Sequence, residues 1–130
     1  MILVDTNVLI RIEEVQLPSE QIVLSALSYG ELQFGIERTP DAVVRRRRRS
    51  ELVRLTTMFP LGWLPFDREA AQSFGRLAGV VSRQRPAHAR STGIMLAGQA
   101  DALGASFMTF NAKDFELVAD QVEIVVPTLR

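Results

Sequence analysis

Three acidic residues follow short apolar segments of the chain, at a spacing that could bring their carboxylates together. Asp5 comes directly after the apolar start, Glu31 follows a second apolar segment, and Asp114 follows a third, with Asn111 just before it. Parallel strands end along one edge of their sheet, so side chains at those ends can converge. Converging carboxylates repel one another, and a hard cation such as Mg²⁺ or Mn²⁺ is the usual way to hold them together.

The chemistry that this pattern favours is metal-dependent hydrolysis of a phosphodiester. Two divalent ions about 3.5–4 Å apart can activate a water and stabilise the leaving oxygen. Asp5, Glu31 and Asp114 are therefore the candidate catalytic residues. The same three acids, together with Asn111, are the candidate metal ligands.

Each acid also has a purely structural explanation, which the sequence leaves open. Asp5 could cap the helix that follows it. Ser28 and Glu31 have the spacing of a capping box, in which the glutamate bonds back to the serine amide. Asp114 would suit a helix N-terminus that begins at Asn111, since an acid in the first turn complements the helix dipole.

Strands and helices alternate along the chain, which is the pattern of a mainly parallel sheet covered by helices. Strands are predicted at 1–4, 21–25, 105–109 and 122–126, and residues 59–66 are irregular or form another strand. Helices are predicted at 6–14, from about Ser28, after Asp41, after Asp67, from Ser91 or Thr92 to Gly104, and after Asn111. No linker or internal repeat interrupts the pattern, so residues 1–130 are expected to form a single domain.

The composition indicates an ordinary globular protein. The 130 residues are 47% hydrophobic and carry zero net charge. No cysteine is present, which excludes disulfides, thiolate metal ligands and a cysteine nucleophile. No apolar run approaches the roughly 20 residues of a membrane span. We therefore expect no membrane association and a cytoplasmic location.

Basic residues are concentrated in two places despite the neutral total. Five consecutive arginines occupy positions 45–49, and a second basic group, which includes His88, lies within positions 83–90. Such a run is commonly just a solvated helix face, but arginine also matches phosphate oxygens well. The candidate contacts to RNA or to a protein partner are Arg45, Arg46, Arg49, Arg83, Arg85 and Arg90.

Taken in order, these motifs resemble the PIN-domain family, specifically the VapC-type toxins of bacterial toxin–antitoxin pairs, over almost the whole chain. The matching segments are VDTNVL at 4–9, SYGELQFG at 28–35, PFDREAA at 65–71, ALG at 102–104 and MTFNAKDF at 108–115. The resemblance implies a three-layer α/β/α sandwich and a Mg²⁺- or Mn²⁺-dependent endoribonuclease that cleaves structured RNA such as tRNA or rRNA. It also implies a homodimer and neutralisation by a cognate VapB-type antitoxin.

One position departs from the family pattern. The helix after the second basic group normally starts with an acidic metal ligand in this family, and Gly93 occupies that position here. Asp101 lies eight residues further on, roughly 12 Å along a helix, which is too far to replace it. We therefore expect weakened metal binding and activity. The alternative is a catalytically impaired PIN fold that serves as a binding module for antitoxin or RNA.

Overall fold

A five-stranded parallel sheet lies at the centre of the computed structural model, which describes all of residues 1–130. The seven strands are β1 (Ile2–Val4), β2 (Val15–Gln16), β3 (Ile22–Ser25), β4 (Trp63–Leu64), β5 (Ser106–Met108), β6 (Ile124–Val125) and β7 (Thr128–Leu129). The α-helices are α1 (Thr6–Ile10), α2 (Ala26–Glu37), α3 (Ala42–Met58), α4 (Arg68–Ser82) and α5 (Thr92–Leu103). Short 3₁₀ helices cover Ile12–Glu14 and Ala112–Val118.

The order of the central sheet is β4-β3-β1-β5-β6, with β1 in the middle. Every adjacent pair in this sheet is parallel, and Leu3 is paired with Val23 on one side and with Phe107 on the other. The carboxyl ends of β3, β1 and β5 therefore lie side by side. This arrangement confirms the predicted α/β/α sandwich and places the ends of the three predicted strands at one edge.

Both faces of the sheet are covered, which explains why its strands are mainly apolar instead of alternating. Leu3 and Phe107 point into one core with α4 and α5. Ile2 and Val4 point into a second core with α1 and the end of α3. Successive side chains of a strand point to opposite faces, so each strand supplies both cores.

Local signals placed most helix boundaries correctly. The side chains of Asp41, Asp67 and Ser91 cap α3, α4 and α5 by accepting hydrogen bonds from backbone amides, and these helices begin where the sequence predicted. Gly104 ends α5 with φ of 68°, a left-handed conformation that glycine adopts without strain. None of these helices has both the length and the apolar composition to cross a membrane.

Two predicted helix boundaries were wrong. The first helix ends at Ile10 instead of continuing to residue 14, and the chain then forms β2, which pairs antiparallel with the unpredicted β7. The second helix begins at Ala26, because the buried hydroxyl of Ser25 accepts the amide hydrogen of Leu27. The predicted start near Ser28 was therefore late.

A buried glutamine attaches the edge strand β4 to the start of α2. Gln99, 2% exposed, accepts a hydrogen bond of 2.5 Å from the hydroxyl of Ser25. Its amide nitrogen lies 3.4 Å from the carbonyl oxygen of Leu64 and 3.1 Å from that of Pro65. These bonds satisfy a polar group that would be costly to bury alone, and they hold the segment from which α2 begins.

Candidate active site

Asp5 lies at the carboxyl end of the central strand. Its amide donates to the carbonyl of Met108 across 2.8 Å, which extends the pairing of β1 with β5. Asp5 is 9% exposed, and its Oδ2 atom accepts a hydrogen bond of 2.8 Å from the hydroxyl of Thr109. The side chain makes no capping hydrogen bond to α1. Asp5 is therefore oriented by the neighbouring strand, and the interpretation as a simple helix cap was wrong.

Burial raises the pKa of Asp5 above its ordinary value. The hydrogen bond from Thr109 opposes this rise because it favours the ionised carboxylate, whereas the negative charge of Glu31 adds to it. The amides of Thr6 and Asn7 also oppose the rise, although they lie outside capping hydrogen-bond geometry. Asp5 is thus a desolvated acid with a second acid close enough to influence its ionisation.

Glu31 is held near the end of β1 by a hydroxyl relay. The hydroxyl of Thr6 donates to Oε1 of Glu31 across 2.6 Å, and the Oγ atoms of Thr6 and Ser28 are 2.8 Å apart. A threonine hydroxyl has one hydrogen, so Ser28 must be the donor to Thr6. Ser28 lies inside α2 and is fully buried. Glu31 therefore bonds to the first helix instead of closing a capping box with Ser28.

Thr109 is the centre of the polar contacts beside Asp5. Besides donating to Asp5, its Oγ accepts the amide hydrogen of Asn111 at 3.1 Å. It also accepts a longer hydrogen bond of 3.4 Å from the side-chain nitrogen of Asn7. The exposed side chain of Asn111 makes no capping hydrogen bond to the 3₁₀ helix that it precedes. Asn111 is therefore beside the site through its backbone, with its side-chain oxygen free to bind a ligand.

Asp114 is engaged elsewhere. Its Oδ1 atom lies 3.6 Å from Nη1 of Arg85, and both side chains are nearly half exposed. The backbone carbonyl of Asp114 lies 3.1 Å from Nε2 of His88, which donates to it. No direct hydrogen bond joins its carboxylate to Asp5 or Glu31. The structure therefore brings Asp5 and Glu31 together but gives Asp114 a basic partner.

Gly93 faces an aromatic ring. A Cβ atom placed on Gly93 would lie 3.0 Å from Cζ of Phe115 and 3.7 Å from the hydroxyl of Ser91. Phe115 is 3% exposed and makes edge-to-face contacts with Phe107 and His88, with ring centroids 5.0 Å and 6.1 Å away. The space next to Gly93, where a Cβ atom would lie, is therefore closely packed.

The donors around Asp5 fit a hard divalent cation, although the acids are few. No group of three or more aspartate, glutamate, histidine or cysteine side chains in the chain is arranged to hold a metal ion. The charge of Glu31 acts on Asp5, and the neutral oxygen donors nearby include Asn111. Oxygen ligands are those that Mg²⁺ and Mn²⁺ prefer. A cation here would relieve the repulsion and desolvation that raise the pKa of Asp5.

Sequence reasoning missed the hydroxyl residues that orient the two acids. Thr6, Ser28 and Thr109 are all buried, at no more than 9% exposed. Each could have been suspected because buried polar groups need partners, and these hydroxyls lie within three residues of the end of an apolar strand. Their partners lie 22 to 104 residues away in the sequence, so no local spacing identifies them.

A groove of about 490 Å³ runs between α1, α2 and α3 and reaches the acid site. Thr6 and Glu31 belong to its lining, as do the exposed apolar residues Ile10 and Phe34, which are 70% and 65% exposed. Basic residues also line it, namely Arg38, Arg48 and Arg54. The groove is thus a mixed apolar and basic surface that ends at Glu31.

Part of the first arginine cluster holds two helices together. The Nη1 atom of Arg45 donates to the carbonyls of Thr39 and Pro40 at 2.8 Å and 2.9 Å. Arg49 pairs with Glu37 across 3.3 Å. These contacts satisfy groups at and beyond the end of α2, where carbonyls lack helical partners. Of the six candidate contact arginines, Arg45, Arg49 and Arg85 have intramolecular partners, and Arg46, Arg83 and Arg90 are exposed.

Several solved structures share this architecture over nearly the full chain. A structure of VapBC2 from Rickettsia felis bound to a DNA fragment matches with a TM-score of 0.77 and 17% identity, covering 98% of this chain and 100% of the other. FitAcB from Neisseria gonorrhoeae matches with a TM-score of 0.75 and 22% identity, covering 96% of each chain. VapBC-5 from Mycobacterium tuberculosis, from the VapBC family of toxin–antitoxin systems, matches with a TM-score of 0.69 and 18% identity over 95% of this chain and 94% of the other.

These matches establish the fold. The predicted resemblance to VapC-type PIN domains is confirmed at that level, since the matching chains come from VapBC and FitAB structures. No family model matches the sequence. No curated protein matches it either.

Proposed function

We propose that this chain is a VapC-like toxin that hydrolyses RNA with the help of Mg²⁺ or Mn²⁺. The observation that carries the proposal is the position of Asp5 and Glu31, since Glu31 accepts a hydrogen bond of 2.6 Å from Thr6, the residue after Asp5. Two acids and neutral oxygens at the carboxyl edge of a parallel sheet suit a divalent ion and an anionic phosphodiester. The fold shared with VapBC structures supports this assignment.

Asp5 and Glu31 would hold the cation, with Asn111 and Asp114 completing its ligands. When bound, the ion would activate water and offset the charge that develops on the phosphate. Thr109 keeps the Asp5 carboxylate directed into the site, and Thr6 does the same for Glu31. Asp114 would have to exchange its contact with Arg85 for the cation, and Arg85 would then be free to meet a phosphate.

Gly93 makes the proposed activity weak. An acid is missing at this position, and the adjacent volume is occupied by Phe115. With fewer carboxylates, the site should bind its cation less tightly and need higher concentrations for full activity. The same observation favours a second candidate function, a catalytically impaired fold that binds antitoxin or RNA.

The groove between α1, α2 and α3 is the proposed surface for a VapB-type antitoxin. Its exposed apolar residues, Ile10 and Phe34, suit an amphipathic segment, and its basic residues suit acidic side chains. A segment lying there would reach Glu31 and cover the acid site. Neutralisation would then follow from blocked substrate access. Assembly as a homodimer belongs to the same proposal.

An RNA cleavage assay at increasing Mn²⁺ concentrations distinguishes the two candidate functions, the enzyme and the binding module. The parent chain is compared with Asp5→Asn and Glu31→Gln, and Asp120→Asn serves as the control because Asp120 is an exposed acid outside the site. Metal-dependent cleavage that is lost in the first two variants and kept in the control supports the enzyme. Absence of cleavage in every protein, with antitoxin binding retained, would instead support the binding module.

A further inference from the structure

Arg11 lies over the ring of Phe110, close to residues that orient Asp5 and outside both arginine clusters. The guanidinium carbon of Arg11 lies 4.5 Å from the centroid of the Phe110 ring, which is within the range of a cation–π contact. The ring also packs against the core that contains Val4 and Val8. Phe110 is therefore a fixed support for the guanidinium plane.

The pair lies next to the groups that orient Asp5. Phe110 directly follows Thr109, and its amide donates to Oδ1 of Asn7 across 3.4 Å. Arg11 directly follows α1, whose second residue is Asn7. The guanidinium lies over Phe110 and is therefore next to the segment that carries Thr109.

Glu14 fixes the orientation of Arg11 and balances its charge. Its carboxylate accepts hydrogen bonds of 2.9 Å from Nε and 3.4 Å from Nη2 of Arg11. These bonds do not use Nη1, and the arginine side chain is 43% exposed. One side of the guanidinium lies over the Phe110 ring, so a ligand would approach from its outer face.

We propose that this outer face stacks an unpaired nucleobase of the RNA, next to the phosphate that is cleaved. The inference rests on the proposed function and adds to it a residue that contacts a base of the substrate. Unstacked bases commonly pack on aromatic rings or guanidinium planes in protein–RNA complexes. A phosphate would face repulsion from Glu14, whereas an uncharged base would not. A base inside a duplex is already stacked, so it would gain nothing from Arg11.

Binding measurements in the non-cleaving Asp5→Asn background test the inference. The probes are a fluorescein-labelled single-stranded RNA of about twelve nucleotides, the same strand in a blunt duplex, and the same strand carrying abasic sites. Arg11→Lys keeps the charge that pairs with Glu14 but lacks the planar group, and Arg11→Ala removes both. Arg68→Lys is the matched control, since Arg68 is exposed at the start of α4.

Both Arg11 variants should raise the Kd for the intact single strand about tenfold, because one stacked base contributes about that factor. The Kd values for duplex and abasic RNA should stay unchanged, as should every Kd of the control. Circular dichroism should show the same fold in all variants. An unchanged Kd in Arg11→Lys, or an equal loss on abasic RNA, would overturn the inference in favour of a simple phosphate contact or none.

Cleavage by the chain with Asp5 intact separates this inference from the proposed function. RNA that is cleaved with the same KM in Arg11→Lys overturns the stacking role and leaves the nuclease standing. RNA that is bound through Arg11 but never cleaved supports the stacking role and refutes the nuclease. A chain that neither binds nor cleaves these RNAs overturns both.

Discussion

The hydroxyl of Thr109 donates a 2.8 Å hydrogen bond to the carboxylate of Asp5, although 104 positions separate the two residues in sequence. Val4 and Met108 are paired in the sheet, so the residues that follow them emerge side by side. The bond favours the ionised acid and opposes the effect of burial on its pKa. The cross-strand neighbour therefore helps to determine both the orientation and the charge of the first acid.

Replacing Thr109 with valine should weaken binding of Mn²⁺. Valine has a similar shape but no donor, so Asp5 loses a charge-assisted hydrogen bond, which is typically worth about 1.5–3 kcal/mol. The pKa of Asp5 should rise further, and protons compete with the metal for a carboxylate. Isothermal calorimetry near pH 6 should show a higher Kd for Mn²⁺. Thr57→Val is the control, because the hydroxyl of Thr57 bonds only to its own helix on the surface, and an equal Kd in all three proteins would contradict the expectation.

Replacing Asp5 with asparagine should stabilise the metal-free protein at neutral pH. An acid whose pKa is raised by folding destabilises the native state when the pH is above both pKa values. That penalty disappears once the pH falls below the unfolded value of about 3.9. Because burial raises the pKa of Asp5, the free energy of unfolding in EDTA should be higher for Asp5→Asn near pH 7.

The gain from Asp5→Asn should shrink as the pH is lowered toward about 3, where the unfolded aspartate is largely protonated too. Urea unfolding at several pH values measures it, with Asp120→Asn as the exposed control. If the stabilisation produced by Asp5→Asn instead increased on acidification, folding would favour the ionised form of Asp5. Adding Mn²⁺ should reverse the order, since only the aspartate supplies a charged ligand.

Restoring an acid at Gly93 should succeed only if Phe115 is also changed. The new Cβ would lie 3.0 Å from the ring of Phe115, and the ring is enclosed by Phe107 and His88. We expect Gly93→Asp alone to lose about 1–3 kcal/mol of stability through overpacking. Gly93→Asp combined with Phe115→Leu should recover part of this loss and bind Mn²⁺ more tightly than the parent. Calorimetry and thermal unfolding measure both effects, and an undiminished stability of the single variant would show that the ring moves freely.

Replacing Gly98 with alanine should be strongly destabilising. A Cβ atom there would lie 2.6 Å from the backbone nitrogen and Cα of Phe74, so α4 and α5 would have to move apart. We expect the free energy of unfolding to fall by about 1–3 kcal/mol or more. Gly75→Ala in α4 is the matched control, because nothing lies within 4 Å of its added Cβ, and it should gain up to about 1 kcal/mol. Equal stabilities of the two variants in urea would contradict the close helix contact.

Local physical rules account for the parts of the fold that could be predicted. The strands β1, β3, β5 and β6 were recognised as short, mainly apolar runs, and the helix starts after Asp41, after Asp67 and near Ser91 were recognised from polar residues, because both signals act over a few residues. The same rules failed at Ser28, whose hydroxyl bonds to Thr6 instead of capping a helix. The capping interpretation of Glu31 failed for the same reason, since its partner is also Thr6.

The sequence by itself determined the alternation of strands and helices and the sheet edge at which Asp5 and Glu31 meet. Only the tertiary structure decided that Asp114 faces Arg85, that Phe115 occupies the volume beside Gly93, and that Arg11 rests on Phe110. The physical reason is the separation of the interacting residues along the sequence. Helix caps and apolar periodicity depend on neighbours a few residues away. The contacts that orient or occupy a site join side chains from separate elements, and their distances exist only after the elements have packed.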